Sequence, residues 1–143
     1  MDTNQMMAKR GIRNMYQIAL CDDELAELDK LENMLDLYGM RHTEGNFSIK
    51  RFAGAEQMLQ QIREGEYEPD LLLLDIYMHG KLGTEAAREL RDMGISCGIV
   101  FLTSSKEHAL EAFRVDAAQY LVKPISDEKL FQVLDRFLKD MEE

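Results

Sequence analysis

The chain has 143 residues, of which 45% are hydrophobic and 31% charged. This length and composition fit one globular domain with its own core, and they exclude disordered and fibrous classes. The net charge of −10 disfavours direct binding to DNA or to an anionic membrane, and no run reaches the roughly 18–20 apolar residues of a membrane span.

The first 14 residues differ from the rest of the chain. They are polar, show no periodicity and carry Lys9, Arg10 and Arg13. They also lack the apolar core of a secretion signal, so we expect a cytoplasmic protein. We interpret residues 1–14 as a flexible leader or tag, and residues 15–143 as the single domain. Cys21 and Cys97 stand beside apolar runs and are expected to be reduced, buried thiols.

From residue 16 the chain alternates short apolar runs with amphipathic stretches. Strands are predicted at residues 16–20, 47–52, 71–74, 98–102 and 119–122, and helices at residues 24–40, 54–64, 84–93, 107–114 and 127–141. The second strand is expected at a sheet edge, whereas the continuous leucine run at 71–74 predicts a strand buried on both faces. Gly39 or Gly45 is predicted to end the first helix, and Asp127 to cap the last.

Five strands that alternate with five helices predict a parallel sheet with helices on both faces, joined by right-handed crossovers. No internal repeat or Pro/Gly/Ser-rich linker divides the chain. In such folds, ligands bind beyond the carboxyl ends of the strands, at the point where the strand order reverses. The residues that follow each strand are therefore the candidates for a functional site.

Polar side chains follow directly on four predicted strands. Asp22 and Asp23 come after the first, Asp75 after the third, Thr103 after the fourth and Lys123 after the fifth. If the strand order is 2-1-3-4-5, the three aspartates share one crevice, and their repulsion predicts a hard divalent cation such as Mg²⁺. A hydroxyl and an ammonium facing this centre would stabilise a phosphoryl group, which makes Asp75 a candidate nucleophile.

Each of these residues also has a plainer structural interpretation. A single aspartate after a strand is more often a helix cap, and Asp23 followed by Glu24 would cap the first helix well. Thr103 could cap the helix after the fourth strand, and Lys123 alone could be solvated. The combination is far more specific than any one member.

Other site classes fit the sequence poorly. A phosphatase of the haloacid dehalogenase class also uses an aspartate at a strand end with Mg²⁺, but it needs a second aspartate two residues later, where this chain has Tyr77. Gly80-Lys81-Leu82 lacks the glycine loop and the Ser/Thr of a Walker motif. The three histidines and two cysteines lack the spacing of a zinc site.

The motifs resemble the receiver domains of bacterial two-component response regulators, from residue 16 to about residue 141. The matching segments are Ile18-Ala19-Leu20-Cys21-Asp22-Asp23-Glu24, Leu73-Leu74-Asp75-Ile76-Tyr77-Met78 with Gly83, Phe101-Leu102-Thr103-Ser104, and Tyr120-Leu121-Val122-Lys123-Pro124-Ile125. Residues 101–113 look most like receivers that precede a LytTR-type DNA-binding domain. The resemblance implies a three-layer (βα)5 flavodoxin-like sandwich with a parallel five-stranded sheet of order 2-1-3-4-5.

The resemblance also implies roles for the acidic residues. Asp75 would accept phosphate from the phosphohistidine of a sensor histidine kinase. Asp23 and Asp75 would hold Mg²⁺ together with the backbone carbonyl of Tyr77, and Asp22 would act through a bound water. Where receivers usually have Met-Pro-Gly, this chain has Met78-His79-Gly80. We expect the bulky Tyr77 to shield the phosphoryl group from water.

A switch is implied by the same resemblance. Thr103 and Lys123 would contact the phosphoryl oxygens, and Thr103 would move towards them while Tyr120 turns inward. This movement would reshape the face made by the fourth helix, fifth strand and fifth helix, which commonly forms a homodimer. The Lys123–Pro124 bond is expected to be cis and to point Lys123 into the crevice.

The implied output lies outside this domain. Kinase helices would dock against the first helix near Leu25 and Leu28, and the domain would catalyse only its own phosphorylation and dephosphorylation. The acidic chain contains no DNA-reading motif, so it is either a stand-alone phosphate relay or part of a longer transcription regulator. The resemblance favours the second, in which a missing C-terminal LytTR domain supplies the positive surface that DNA binding requires. The alternative is a receiver-like interaction module that never uses phosphate.

Overall fold

The computed structural model describes residues 15–42 and 46–142 of the chain. The proposed leader at residues 1–14 and the helix stop proposed at Gly45 lie outside these ranges. The strands are β1 (Tyr16–Cys21), β2 (Phe47–Phe52), β3 (Leu71–Asp75), β4 (Gly98–Thr103) and β5 (Gln119–Val122). The helices are α1 (Leu25–Arg41), α2 (Ala55–Arg63), α3 (Gly83–Asp92), α4 (Ala109–Arg114) and α5 (Asp127–Glu142).

The five strands form one parallel sheet in the order β2-β1-β3-β4-β5. This confirms the predicted strand order and places β2 at an edge, as its alternating pattern indicated. Strand β3 is central and its leucines are fully buried, because helices cover both faces of the sheet.

Two hydrophobic cores flank the sheet, and successive side chains of β3 enter opposite cores. Leu72 and Leu74 pack with residues of α2, α3 and α4, whereas Leu71 and Leu73 pack with residues of α1 and α5. This division follows from the two-residue period of a strand. The result is the three-layer (βα)5 sandwich that the sequence predicted. Among the described residues, no helix has the length and apolar character required to cross a bilayer.

Three helix ends differ from what the sequence predicted for Gly39, Asp127 and residue 107. Gly39 lies inside α1, which continues to Arg41. Asp127 is the first residue of α5, and the preceding Ser126 caps this helix, because its hydroxyl accepts the N–H of Lys129 at 3.2 Å. Helix α4 begins at Ala109, two residues later than predicted, which leaves Glu107 in the turn before it.

The strand register aligns the carboxyl ends of the central strands. Asp75 of β3 pairs with Leu102 of β4, and Thr103 pairs with Val122 of β5. The polar residues that end or follow β1, β3, β4 and β5 are thereby brought together at the carboxyl ends of the strands. The expected cis peptide bond is present between Lys123 and Pro124.

Gly83 allows the first turn of α3 to pack on the end of β3. A Cβ atom at this position would overlap the carbonyl oxygen of Asp75 and lie 2.9 Å from the Cα of Ile76. The Gly83 N–H also donates to the Ile76 carbonyl at 2.8 Å. The close approach of two backbones fixes the loop that begins at Asp75, and only glycine fits there.

We predict that Gly83→Ala lowers the free energy of unfolding by about 1–3 kcal/mol, because the atoms it meets are backbone and cannot rotate away. Urea unfolding followed by circular dichroism measures this loss. Gly54→Ala is the control, since no atom lies within 4 Å of its Cβ position. Equal losses in the two variants would contradict the packing explanation.

Candidate functional site

Three carboxylates meet at the carboxyl end of the sheet. Asp22, Asp23 and Asp75 each offer an oxygen atom within 4.8 Å of the other two. Asp22 is 1% exposed and Asp75 is 6% exposed, whereas Asp23 lies at the rim. The structure therefore brings together the three aspartates that the sequence singled out, although Asp75 is far from them along the chain.

Lys123 reaches into this acidic cluster from the end of β5. Its Nζ lies 3.0 Å from Asp22 Oδ2 and 3.5 Å from Asp75 Oδ1, with Glu27 Oε2 at 3.8 Å. Burial lowers the pKa of Lys123, but the hydrogen bond to Asp22 and the charges of Asp75, Asp22 and Glu27 outweigh it and raise the pKa overall. The ammonium is thus fixed in its charged form between two buried carboxylates.

The surroundings of Asp75 disfavour the ionised form of its carboxyl group. Burial and the neighbouring charge of Asp22 raise its pKa from 3.8 to about 6, although Lys123 partly opposes this rise. At pH 7 Asp75 is still ionised and has the lone pairs of a nucleophile. Its charge is only partly compensated by the protein, which favours a ligand that brings further positive charge.

Asp23 is held by His79 rather than by the helix that follows it. The backbone N–H and the Nδ1 of His79 lie 2.8 and 2.7 Å from Asp23 Oδ2. The backbone hydrogen bond is the main cause of the lowered pKa of Asp23. A proline in place of His79 would have no N–H to donate, so this contact depends on the departure from Met-Pro-Gly.

The structure contradicts the interpretation of Asp23 and Thr103 as helix caps. The N-cap residue of α1 is Glu24, and Asp23 does not cap that helix. Asp22 Oδ1 accepts the N–H of Glu24 at 2.9 Å, while its other oxygen faces Lys123. Thr103 lies six residues before α4, and its hydroxyl oxygen accepts the N–H of Ser105 at 3.4 Å rather than an N–H of that helix.

Thr103 and Tyr120 occupy neighbouring strands beside the cluster. Thr103 is fully buried, and Tyr120 is partly buried with its ring against Phe101. The Tyr120 hydroxyl donates to the carbonyl oxygen of Ser105 at 2.6 Å. The turn that follows β4 therefore contacts both residues to which the resemblance assigns the switch.

Tyr77 extends from the loop after β3 to the turn after β4. Its hydroxyl donates to Glu107 Oε1 at 2.5 Å, and its ring meets the ring of His108 edge-on, with centroids 5.3 Å apart. The hydrogen bond to Glu107 raises the pKa of Tyr77. Glu107 was not among the predicted site residues, because nothing in the local sequence distinguishes it from a solvated helix residue.

The donor set fits a hard cation. Carboxylate oxygens are the ligands that Mg²⁺ prefers, and three of them converge here. Cys21 lies next to the site, but burial, with the charges of Asp22, Asp75 and Asp23, raises the pKa of its thiol to about 12. The thiol therefore stays protonated and is no ligand for a soft metal. Both cysteines are free and buried, as predicted.

Comparison with known proteins agrees with this geometry. The family described as "Response regulator receiver domain" matches residues 18–135. Sensory transduction protein LytT of Bacillus subtilis is 33% identical over 125 residues, covering 87% of this chain and 49% of that protein. A positive alginate biosynthesis regulatory protein of Pseudomonas aeruginosa is 34% identical over 120 residues, covering 83% of this chain and 46% of that protein. The chain spans about half the length of these relatives.

Solved structures show the same fold. The response regulatory domain of protein mrkE from Klebsiella pneumoniae superposes with a TM-score of 0.78 at 23% identity, covering 88% of this chain and 98% of that one. The BeF3-activated receiver domain of DrrB, a Thermotoga maritima protein, superposes with a TM-score of 0.71 at 26% identity, covering 87% of this chain and 98% of that one.

Proposed function

Because this chain belongs to the response regulator receiver domain family, we propose that it takes a phosphoryl group from a sensor histidine kinase onto Asp75. The transfer would require Mg²⁺, and the phosphorylated domain would control a transcriptional output. One observation carries the proposal: Asp75 lies in a cluster of three carboxylates, with the ammonium of Lys123 at 3.5 Å. A buried carboxylate beside a fixed cation and a hydroxyl is suited to accept a phosphoryl group.

In the proposed transfer, a carboxylate oxygen of Asp75 attacks the phosphorus of a phosphohistidine. The new O–P bond forms as the P–N bond breaks, and the imidazole nitrogen keeps the electron pair and takes a proton from water. Lys123 donates to a phosphoryl oxygen, and the hydroxyl of Thr103 donates to another. The domain thus catalyses only its own phosphorylation and the later hydrolysis of the acyl phosphate.

Four groups would hold the cation. Asp23, Asp75 and the backbone carbonyl of Tyr77 would bind Mg²⁺, with Asp22 acting through a bound water. The ion would supply positive charge beside the phosphoryl oxygens. The close approach of the three carboxylates supports this assignment, and the role of the Tyr77 carbonyl stays a prediction.

The proposed output is a change in the face formed by α4, β5 and α5. Thr103 would move towards the phosphoryl group and Tyr120 would turn inward, which requires its hydroxyl to leave the Ser105 carbonyl. Helix α4 exposes Leu110 and Phe113, an apolar pair suited to a homodimer contact after phosphorylation. Kinase docking would use Leu25, which is 68% exposed. Leu28 is 3% exposed and packs in the core beneath α1, so a docking partner would not contact it.

The transcriptional role is proposed for a longer protein. The relatives extend well beyond the matched segment, and an acidic domain of net charge −10 is not a DNA-binding surface. We propose a cytoplasmic regulator whose receiver domain spans residues 15–143 and acts through a LytTR-type domain on its C-terminal side. DNA would be contacted by that domain alone.

Incubation with acetyl phosphate and Mg²⁺, followed by intact-mass spectrometry, tests the phosphoacceptor without requiring the kinase. We expect the wild type to gain one phosphoryl group, as the O–P bond of acetyl phosphate breaks and acetate leaves. The gain should vanish in Asp75→Asn and on addition of a chelator. Asp92→Asn, which removes an exposed carboxylate of α3, should gain the same mass as the wild type.

A wild type that gains no phosphoryl group and binds no Mg²⁺ would contradict the proposal. That result would favour the receiver-like interaction module that does not use phosphate. Labelling that persists in Asp75→Asn would show that another side chain accepts the phosphoryl group. A gain of mass that persists in the presence of chelator would show that the reaction does not require Mg²⁺.

A further inference from the structure

One side-chain contact joins the loop that follows β3 to the turn that follows β4, beside Asp75. Tyr77 stands two residues after Asp75, in the loop that follows β3, and Glu107 stands in the turn that follows β4. Their side chains are joined by the 2.5 Å hydrogen bond from the Tyr77 hydroxyl to Glu107 Oε1. Because β3 and β4 are neighbours and Asp75 pairs with Leu102, this bond spans the gap between the two strand ends. A phosphodonor has to approach Asp75 from this end of the sheet.

Other contacts fix the tyrosine in that position. Its ring packs edge-on against His108, although 38% of the residue stays exposed. His108 Nε2 lies 3.4 Å from Glu107 Oε1, and His108 Nδ1 lies 3.9 Å from Glu111 Oε2. An exposed tyrosine with no partner would move among several rotamers, whereas this one has its hydroxyl and its ring both engaged.

The backbone of Glu107 is held as well. Its N–H donates to the hydroxyl oxygen of Ser105 at 3.1 Å, and the carbonyl of Ser105 accepts the hydroxyl of Tyr120 at 2.6 Å. The N–H of Ser105 in turn donates to Thr103 Oγ1 at 3.4 Å. The carboxylate that receives the Tyr77 hydroxyl is therefore presented from a turn whose conformation is set by several hydrogen bonds.

We propose that Glu107 is a positioning residue that holds the Tyr77 side chain as a cover over Asp75. The inference rests on the proposed phosphoacceptor function and adds a residue to it. With the hydrogen bond intact, the phenol ring limits the approach of small phosphodonors before phosphorylation and of water afterwards. Loss of the bond frees the ring and exposes Asp75 more often, so both rates rise.

The experiment compares Tyr77→Phe, Tyr77→Ala, Glu107→Ala and Glu107→Gln with the wild type. Two rates are measured by intact-mass spectrometry: labelling by acetyl phosphate with Mg²⁺, and loss of the phosphoryl group after the donor is removed. Glu107→Ala and Tyr77→Phe should each raise both rates about fivefold, since both lose the same bond. Tyr77→Ala should raise them at least as much, because the ring is gone.

Two comparisons separate positioning from a general effect on the fold. Glu107→Gln keeps a carbonyl oxygen at the same place and should retain rates near those of the wild type, which a role of the charge alone would not allow. Asp92→Ala removes an exposed acidic side chain of α3 that belongs to none of these contacts, and it should leave both rates unchanged. Urea unfolding curves check that every variant is folded.

The decisive comparison is the double variant Tyr77→Ala with Glu107→Ala. If Glu107 acts through Tyr77, its replacement has no further effect once the ring is absent. An equal acceleration by Glu107→Ala in both backgrounds, or rates unchanged in Glu107→Ala and Tyr77→Phe, would overturn the inference while the phosphoacceptor role stands. If the folded wild type takes up no phosphoryl group at all, the proposed function fails and the cover fails with it.

Discussion

Replacement of Asp75 by asparagine is expected to raise the free energy of unfolding by about 3 kcal/mol at pH 7 in the absence of divalent cations. The folded protein holds the pKa of Asp75 at about 6, above its ordinary value of 3.8, mainly because the group is buried. This difference corresponds to about 3 kcal/mol that the ionised carboxylate costs the folded state. Asparagine removes the charge and keeps the shape of the side chain.

The sign of this effect gives it a characteristic pH dependence. Since the pKa of Asp75 is raised in the folded state, a protonated Asp75 adds to the free energy of unfolding. This added stability is fully present below pH 3.8 and is lost as the pH rises through about 6. Wild type and Asp75→Asn should therefore differ little in stability at pH 4, and the difference should grow until about pH 7. Urea unfolding with EDTA at several pH values measures both curves.

Two controls belong to this experiment. Asp92→Asn removes an exposed carboxylate and should change the stability by less than about 0.5 kcal/mol. Added Mg²⁺ should stabilise the wild type more than Asp75→Asn, because a ligand that binds only the folded state stabilises it by mass action. A stability difference that is the same at pH 4 and pH 7 would contradict the assignment of the penalty to the Asp75 charge.

Replacement of Lys123 by methionine is expected to have the opposite effect, a loss of about 2–4 kcal/mol at pH 7 without Mg²⁺. Among the ion pairs that the structure describes, the Lys123 ammonium is the one cation that lies within 4 Å of both Asp22 and Asp75. Asp22 is 1% exposed, so removal of Lys123 leaves its charge in a buried place without compensation. Methionine keeps most of the length and apolar stem of lysine, which confines the change to the charge.

Partial recovery distinguishes this electrostatic cause from a packing defect. The stability of Lys123→Met should rise when the pH is lowered to about 5, where Asp75 takes up a proton, or when Asp75→Asn is combined with it. Lys129→Met makes the same chemical change at an exposed site of α5 and should leave stability nearly unchanged. A Lys123→Met variant that unfolds at the urea concentration of the wild type would show that the carboxylates need no ammonium.

The predicted fold depended on patterns that are local in the chain. A leucine run at 71–74, closed by charged residues, is compatible with a strand buried on both faces and with little else of that length. Five such runs alternating with amphipathic stretches leave few topologies, because parallel crossovers are right-handed. The helix ends were less certain, since Ser126 and Asp127 are both good capping residues and only the path of the backbone chose the serine.

The amino-acid sequence by itself determined which side chains stand at the ends of the strands, and therefore that Asp22, Asp23, Asp75, Thr103 and Lys123 meet at one edge of a parallel sheet. Only the tertiary structure decided how these groups are paired. Lys123 bonds Asp22 across 101 positions, His79 bonds Asp23 across 56, and Tyr77 bonds Glu107 across 30. Such contacts depend on rotamers and on turn geometry after packing, and no local periodicity encodes them. Glu107 could therefore be identified only once the turn after β4 was seen to carry it towards Tyr77.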